Sequence, residues 1–503
     1  MHTAHLAIDL GASSGRAIVG VLTGDEPKLL LEEVHRFEHF GSPTPVGPVW
    51  DLTGIWRHIL TGVSKAATWC RDEGYELKSV GVDTWAVDWV VVGPGGELLG
   101  LPHCYRDPQN EAACERVIER LGGFGSLYKR TGIQRLPFNT LFQLEARHAA
   151  EPRLFDAASR LLMLPDLLHY WLSGEQATER SNASSSSMLD VHTGDWDFEL
   201  LKKLGLPTDI LGPIVEPGTD LGAVRADVAA ETGVDAALRV VAPATHDTAS
   251  AVAAAPATGD TTWAYLSSGT WSLLGAEIRE PILTDAAQQA PFTHERGVEG
   301  TIRFLKNIAG LWLVQELRRE LASQANNQGA GAPTFGQLVE EAQAAAPFRT
   351  LVNPNQPDFA TPGDMIGKLR RFARDTDQPE PETTGQLVRC CLESLALSYR
   401  DTLDRMEPIL GHSVESLHMV GGGTQNRLLN QLTASAVGRT TTSGPVEATA
   451  IGNVLVQAIG CGTLADLAEV RSVVRRSFEI ETVDPGPPTP PEAYERFATL
   501  LTS

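Results

Sequence analysis

Nowhere in the 503 residues is there a run of 18 uninterrupted apolar residues, a CxxC pair or a cluster of basic side chains. The first absence removes a transmembrane helix. The second leaves six cysteines (Cys70, Cys104, Cys114, Cys390, Cys391 and Cys461) at spacings that match no zinc or redox motif, and a chain of this length does not depend on disulfides. They read as core thiols of a reduced compartment. The third absence goes with 41 basic against 63 acidic residues and a formal net charge of -22, a field that repels nucleic acid and anionic lipid. Two nucleotide signatures are missing as well. No GxxxxGKS or GxxxxGKT occurs, and the one glycine-rich turn near the start lacks GxGxxG spacing. The opening MHTAHLAIDL has no basic n-region and already carries Asp9, so a secretory signal is not expected and the protein is read as soluble and cytoplasmic.

What is present is the composition of an ordinary globular protein, 42% hydrophobic and 21% charged, long enough for two to four domains at about 150 residues each. Short β-branched runs (HLAIDLG, RAIVGVL, LKSVGVD, VDWVVVG, TTWAYLS, WSLLGAEI) alternate with longer amphipathic stretches, a mixed α/β pattern. Leu52, Ile55, Ile59, Val63, Ala66 and Cys70 recur at helical spacing. So do Leu387, Cys391, Leu395 and Leu403 in a second helix predicted over Thr384 to Leu410, with Gly411 as its C-cap. The proline cluster from Asp484 reads as a strap before a terminal helix. The serine run Ser181 to Ser187 reads as a loop within a domain, because tryptophans flank it on both sides.

AIDLGASSGRAIVGVL near the start and TTWAYLSSGTWSLLGAEI from Thr261 both read strand, Ser-Ser-Gly turn, strand. Either chance or a duplicated architecture explains the echo. A tight Gly/Ser hairpin presents backbone N–H groups and hydroxyls as an anion nest, for which phosphate is the natural guest. Asp9 precedes the first turn, where a carboxylate serves a phosphate-bound Mg²⁺, while Trp263 is taken as its counterpart in the second. An ordinary turn carboxylate and a surface cation at Arg16 are the plain alternative. Gly11 to Gly15 also fits GxSxG, the nucleophile elbow of hydrolases, but the elbow needs a helix after the serine and RAIVGVL reads as a strand. In VVAPATHDTASAVAAAP, His246 and Asp247 stand at a strand-to-helix turn. An aspartate there is the right chemical type to take a proton from an attacking alcohol, although a simple N-cap is the commoner role. In ESLHMVGGGTQNRLLNQLTASAVGR three glycines between strand and helix admit a flat ring or phosphate close to the backbone, or make only a tight turn.

Taken together, DLGASSGR, DTWAVDW, THDTASAV, YLSSGTWSLLG, LKNIAGLWLVQ, VGGGTQNRLLNQLTA and GPVEATAIGN resemble the FGGY carbohydrate kinases, from about Ala7 to Gly460. The resemblance implies a two-domain, actin-like (ribonuclease H-like) α/β fold with sugar and ATP meeting in an interdomain cleft. It implies an N-terminal domain over 1–246 for sugar and the first phosphate turn, and a C-terminal domain over 247–503 for the second turn and adenosine. The set looks most like the branch that phosphorylates L-rhamnulose at its 1-hydroxyl. L-Fuculose, D-xylulose or another ketose is an alternative, and so is a non-catalytic nucleotide-dependent sugar sensor. By position, Asp247 matches the family's catalytic base. His246, Asn307 and the backbone at Ala86 match ketose contacts, and Ala12, Ser13, Ser14, Gly15, Arg16, Thr270, Gln315 and Gly422 match ATP contacts. Asp9 matches a carboxylate near Mg²⁺. Ala86 departs from the expected glycine of DTWGVD, which leaves the sugar's identity less settled than the reaction. Expected partners are a ketose and ATP, with no nucleic acid and no membrane.

Overall fold

The β-branched residues at the start of the chain form two strands joined at Gly11–Ser13, and this hairpin seeds the first of two sheets with the same internal order. The computed structural model describes residues 2–259, 261–327 and 331–501. Two units emerge from the contacts. One comprises Met1–Pro256, Glu277–Phe304 and Glu447–Phe478, the other Ala257–Ala276, Leu305–Val446 and Glu479–Ser503.

The first sheet contains β1 (Thr3–Leu10), β2 (Ser14–Thr23), β3 (Lys28–Glu38), β4 (Glu76–Thr84), β5 (Thr219–Ala223) and β6 (Arg239–Ala242) in the order β3-β2-β1-β4-β6-β5. The second contains β7 (Trp263–Ser268), β8 (Trp271–Ile278), β9 (Ile302–Ala309), β10 (Ser416–Val420), β11 (Thr440–Ser443) and β12 (Glu481–Thr482) in the order β9-β8-β7-β10-β11-β12, and a seventh strand, Thr293–Arg296, pairs with β9 and extends that edge. In each sheet the hairpin is antiparallel, the next two strands join in parallel, and the far edge strand is antiparallel. The parallel strands β1, β4 and β6 are almost wholly buried, as expected of strands covered on both faces.

Capping fixes the long helices. α1 (Leu52–Glu73) starts at Asp51, whose carboxylate accepts the Gly54 N–H at 2.8 Å, and ends at the left-handed Gly74. All six residues of its predicted apolar stripe are buried. A second helix covers Thr384–Leu410 with Gly411 as a left-handed cap, and its predicted stripe is buried too. The terminal helix is Pro491–Leu500. The serine run is not the expected loop: Arg180–Ala183 form a helical turn, Ser184–Ser186 a 3₁₀ turn, and Ser181 to Ser187 are all buried. Local hydroxyl bonds make this possible. Ser184 Oγ donates to the Ser181 carbonyl at 2.7 Å and Ser185 Oγ to the Asn182 carbonyl at 2.7 Å, so polar side chains satisfy themselves inside the protein.

The echo is real at the level of topology, but its register differs from the Ser-Ser-Gly match. Ser14 and Gly15 lie on the strand after the first turn, whereas Ser267 and Ser268 end the strand before the second. The bonds that close the turns are Gly11 N–H to Ser14 O and Gly269 N–H to Trp271 O, both at 2.9 Å. Gly11 therefore corresponds to Gly269, and Ser267, not Trp263, is the counterpart of Asp9.

Candidate active site

In the first unit β1 and β4 run parallel and bring Asp9 into register with Asp83, while the hairpin sets Asp9 across from Arg16. Arg16 Nη2 meets Asp9 Oδ2 at 2.5 Å, and Arg16 Nη1 also pairs with Glu447. Asp83 is fully buried and accepts from Asn453 Nδ2 at 2.5 Å. Burial first, then the charges of Asp9 and Asp247, push its carboxyl well above the usual range. Ala12 and Ser14 are partly exposed at the turn and Ser13 is exposed. Gly15 is buried, and a Cβ there would lie 2.3 Å from the Phe37 ring and 2.7 Å from Leu10, so packing alone demands glycine at that position. The strand that begins at Ser14 leaves no helix for a nucleophile elbow, which disposes of the hydrolase reading.

β6 ends at Ala242, and α2 (Asp247–Ala253) starts after four intervening residues. Asp247 is the first helical residue and His246 the N-cap, so the aspartate does not cap the helix from outside it. Its Oδ1 accepts the Thr248 N–H at 2.5 Å. The Asp247 carboxyl is raised, by desolvation first and then by Asp9, against the lowering effect of His246. Thr84 N–H donates to the Thr245 carbonyl at 2.9 Å and bridges β4 to this turn, so the DTWAVD bend leaves the sheet beside His246. In that bend Ala86 is partly exposed, and Val87 has φ 71, a conformation costly for a β-branched residue. Thr140 Oγ1 at 2.7 Å and Gln143 Nε2 at 3.1 Å both donate to its carbonyl and hold it there.

Residues that the sequence did not single out brace the same turn. Glu179 accepts from Ser181 N and Oγ at 2.7 and 2.6 Å and from Thr245 N and Oγ1 at 3.0 and 2.6 Å. Ser181 Oγ in turn takes the His246 N–H at 3.2 Å. Behind the imidazole, Arg303 Nη2 lies 3.1 Å from His246 Nδ1, and Glu295 Oε2 lies 3.2 Å from Arg303 Nη2 and 3.3 Å from His246 Nδ1. Although burial would raise it, the Glu295 carboxyl is held below its ordinary value chiefly by the Arg303 charge. Asp83 was visible inside DTWAVDW. Glu179, Glu295 and Arg303 carried no local signal, since their partners are distant in sequence.

The other predicted residues belong to the second unit. Thr270 lies in the β7–β8 turn, where Gln315 Nε2 donates to its Oγ1 at 3.2 Å. Gln315 is carried by α3 (Trp312–Asn327), and the Leu311 and Trp312 N–H groups bond to the turn carbonyls of Gly269 and Thr270 at 3.0 and 3.1 Å. After β10, a 3₁₀ turn at Gly422–Gln425 precedes α4 (Arg427–Val437), so the triple glycine does not run straight into the helix. A Cβ at Gly423 would fall 2.0 Å from Ser268 Oγ, and Gly421 needs φ 89. At Gly422 a Cβ would meet no described atom within 4 Å. Of the three, only Gly422 leaves open space for an approaching ring or phosphate. Asn307 sits near the end of β9.

Residues 4–254 match the N-terminal domain, and residues 264–461 the C-terminal domain, of the FGGY family of carbohydrate kinases. The chain belongs to that family. Relatives of this FGGY kinase include a protein named rhamnulokinase from Bacteroides thetaiotaomicron, 42% identical over 479 residues, with 95% of each chain covered. Another of that name, from Bacillus subtilis, is 40% identical over 481 residues, covering 96% of this chain and 95% of the relative. Among solved structures, ligand-bound xylulose kinase from Lactobacillus acidophilus superposes with a TM-score of 0.76 at 15% identity, over 99% and 97% of the two chains. Glycerol kinase from Plasmodium falciparum with ADP gives 0.75 at 16% identity, over 100% and 97%. This FGGY kinase therefore has the two-domain α/β fold of the sugar kinases, and it acts on small molecules. Among the described residues no helix is long and apolar enough to cross a membrane.

Proposed function

We propose that this FGGY kinase transfers the γ-phosphoryl group of ATP to the 1-hydroxyl of L-rhamnulose, yielding ADP and L-rhamnulose 1-phosphate. Support for the substrate comes from the name shared by relatives that match the chain almost end to end. The observation that carries the chemistry is the carboxylate of Asp247 at the mouth of α2, raised in pKa by burial and by the charge of Asp9 and flanked by His246. A carboxylate whose proton affinity lies above the usual range is a better acceptor for the proton of an attacking hydroxyl.

In this reading His246, Asn307 and the Ala86 backbone hold the ketose. The turn at Ala12, Ser13, Ser14, Gly15 and Arg16, with Thr270, Gln315 and Gly422, holds ATP. Apart from Asn307, this reading divides the chain at residues 246/247 into a part for the sugar and the first phosphate turn and a part for the second turn and adenosine. Phosphoryl transfer needs positioning and neutralisation of charge more than covalent help, and backbone N–H groups with Arg16 supply part of that neutralisation. Mg²⁺ is the ion that this reading assigns to Asp9. Among the described residues no group of three or more metal-ligating side chains occurs. One carboxylate, Asp9, shares an oxygen with Arg16, and Mg²⁺ is commonly held by one or two carboxylates plus substrate phosphates and water. When bound, the ion offsets phosphate charge. The six free cysteines suit a cytoplasmic setting.

The test is coupled ADP release with Mg·ATP against L-rhamnulose, L-fuculose, L-ribulose, D-xylulose and D-fructose. Turnover dependent on L-rhamnulose is the expected result. Turnover with a different sugar alone would move the assignment to another ketose and turn attention to Ala86, and ATP binding without turnover on any sugar would favour a sensor.

A further inference from the structure

The side chains of Arg303 and Glu295 are charged, 0% and 6% exposed, and take no direct part in the reaction described above. Burying an ion pair is costly to a fold and seldom adds net stability. Its geometry here points at one atom, Nδ1 of His246. Of the two contacts to that nitrogen, the one from Arg303 Nη2 at 3.1 Å has hydrogen-bond geometry. Glu295 Oε2, 3.3 Å away, makes no hydrogen bond. A guanidinium carries donors and no acceptor. Nδ1 must therefore offer its lone pair, and a neutral imidazole with a lone pair on Nδ1 carries its proton on Nε2.

We propose that Arg303, held in turn by Glu295, is a positioning residue that fixes His246 as the Nε2–H tautomer, so that the imidazole presents an N–H donor beside the catalytic carboxylate. Nε2 lies 3.5 Å from Asp247 Oδ1, too far for a good hydrogen bond and close enough for both groups to reach one hydroxyl. Its N–H then donates to a ketose oxygen while Asp247 accepts the proton of the attacking hydroxyl. The two groups thus have opposite hydrogen-bonding roles, and a sugar oxygen is oriented between donor and acceptor. This role rests on the ketose reading of His246 given above; the tautomer itself does not.

Without the guanidinium, the nearest partner of Nδ1 is Glu295 Oε2, an acceptor. Nδ1 would take the proton and Nε2 would become an acceptor, the wrong sign for a carbonyl oxygen. The test is two-bond ¹H–¹⁵N correlation on the full-length protein with ¹⁵N-labelled histidine, without substrate, the His246 signals being assigned by their loss in His246→Gln. The expected pattern in the unmodified protein is a protonated Nε2 and an unprotonated Nδ1. A protonated Nδ1, or an imidazolium at neutral pH, overturns the proposal whatever the sugar. In Arg303→Met the pattern should invert, with KM for the ketose rising about tenfold or more and KM for ATP unchanged. Arg303→Lys, which keeps a donor, should restore much of the lost affinity. An inverted tautomer with an unchanged ketose KM would refute the substrate role alone, and if Arg303→Met does not fold, the spectrum of the unmodified protein still decides the tautomer.

Discussion

Neighbouring glycines allow the nucleotide assignment to be separated from packing. Gly423→Ala would put a methyl 2.0 Å from Ser268 Oγ, 2.7 Å from its Cβ and 2.9 Å from its carbonyl oxygen. All are below any real contact, and the serine hydroxyl has little room to turn because its Oγ is already buried. Overpacking of this kind costs about 1–3 kcal/mol, and in a unit of this size each kcal/mol lowers Tm by about 2–4 °C. Gly422→Ala meets nothing within 4 Å and needs no positive φ, so the fold should be unharmed and even gain a few tenths of a kcal/mol, up to about 1, from the stiffer unfolded chain. If an adenosine or phosphate approaches the backbone at Gly422, the added methyl occupies that space and KM for ATP should rise about tenfold while KM for the ketose holds. Thermal unfolding and two-substrate kinetics on both variants decide the matter. An unchanged KM for ATP in Gly422→Ala removes this residue from the nucleotide site, and an unchanged Tm in Gly423→Ala refutes the packing argument.

Asp247→Asn should lower turnover by about 10² or more with ATP binding retained, as measured by coupled ADP release and by nucleotide titration. The same variant should melt no lower than the parent at neutral pH. The folded carboxyl has a raised pKa, so stability is lost as the pH rises from the ordinary carboxylate value of about 4 through the raised one, and the difference between the two proteins should vanish below about 4. For the same reason the acid limb of the kcat/KM profile should lie above the ordinary carboxylate range; a limb at or below about 4 would contradict the raised base. Ala86→Gly should lower KM for a ketose bulkier near the bend and leave KM for ATP unchanged, which the sugar panel measures. No change on any sugar would take the Ala86 methyl out of the pocket wall.

The helices Leu52–Glu73 and Thr384–Leu410 were legible because an apolar stripe at helical spacing and a cap at each end point to the same answer. The strand-turn-helix around Asp247 was legible because Pro243 and the alanine run bracket it. Ser181–Ser187 misled because its burial rests on hydroxyl-to-carbonyl bonds, which leave no hydrophobic pattern to read. The pairing of Arg303 with His246, 57 residues apart, follows from strand placement and has no local signature. The turn echo was found through a triplet that falls on opposite sides of the two turns, so the topology was right and the residue correspondence was not.

The repeated strand order, antiparallel hairpin followed by two parallel neighbours, has a consequence for how such a chain can change. Two identical modules held together as separate copies share every mutation, and a carboxylate gained at one turn appears at the other. Joined in one polypeptide, the copies drift independently, and the position that is Asp9 in one half is Ser267 in the other. A carboxylate at one turn and a hydroxyl at the matching place in the other give the two halves different chemistry, and fusion into a single chain is what allows a repeated architecture to acquire that polarity.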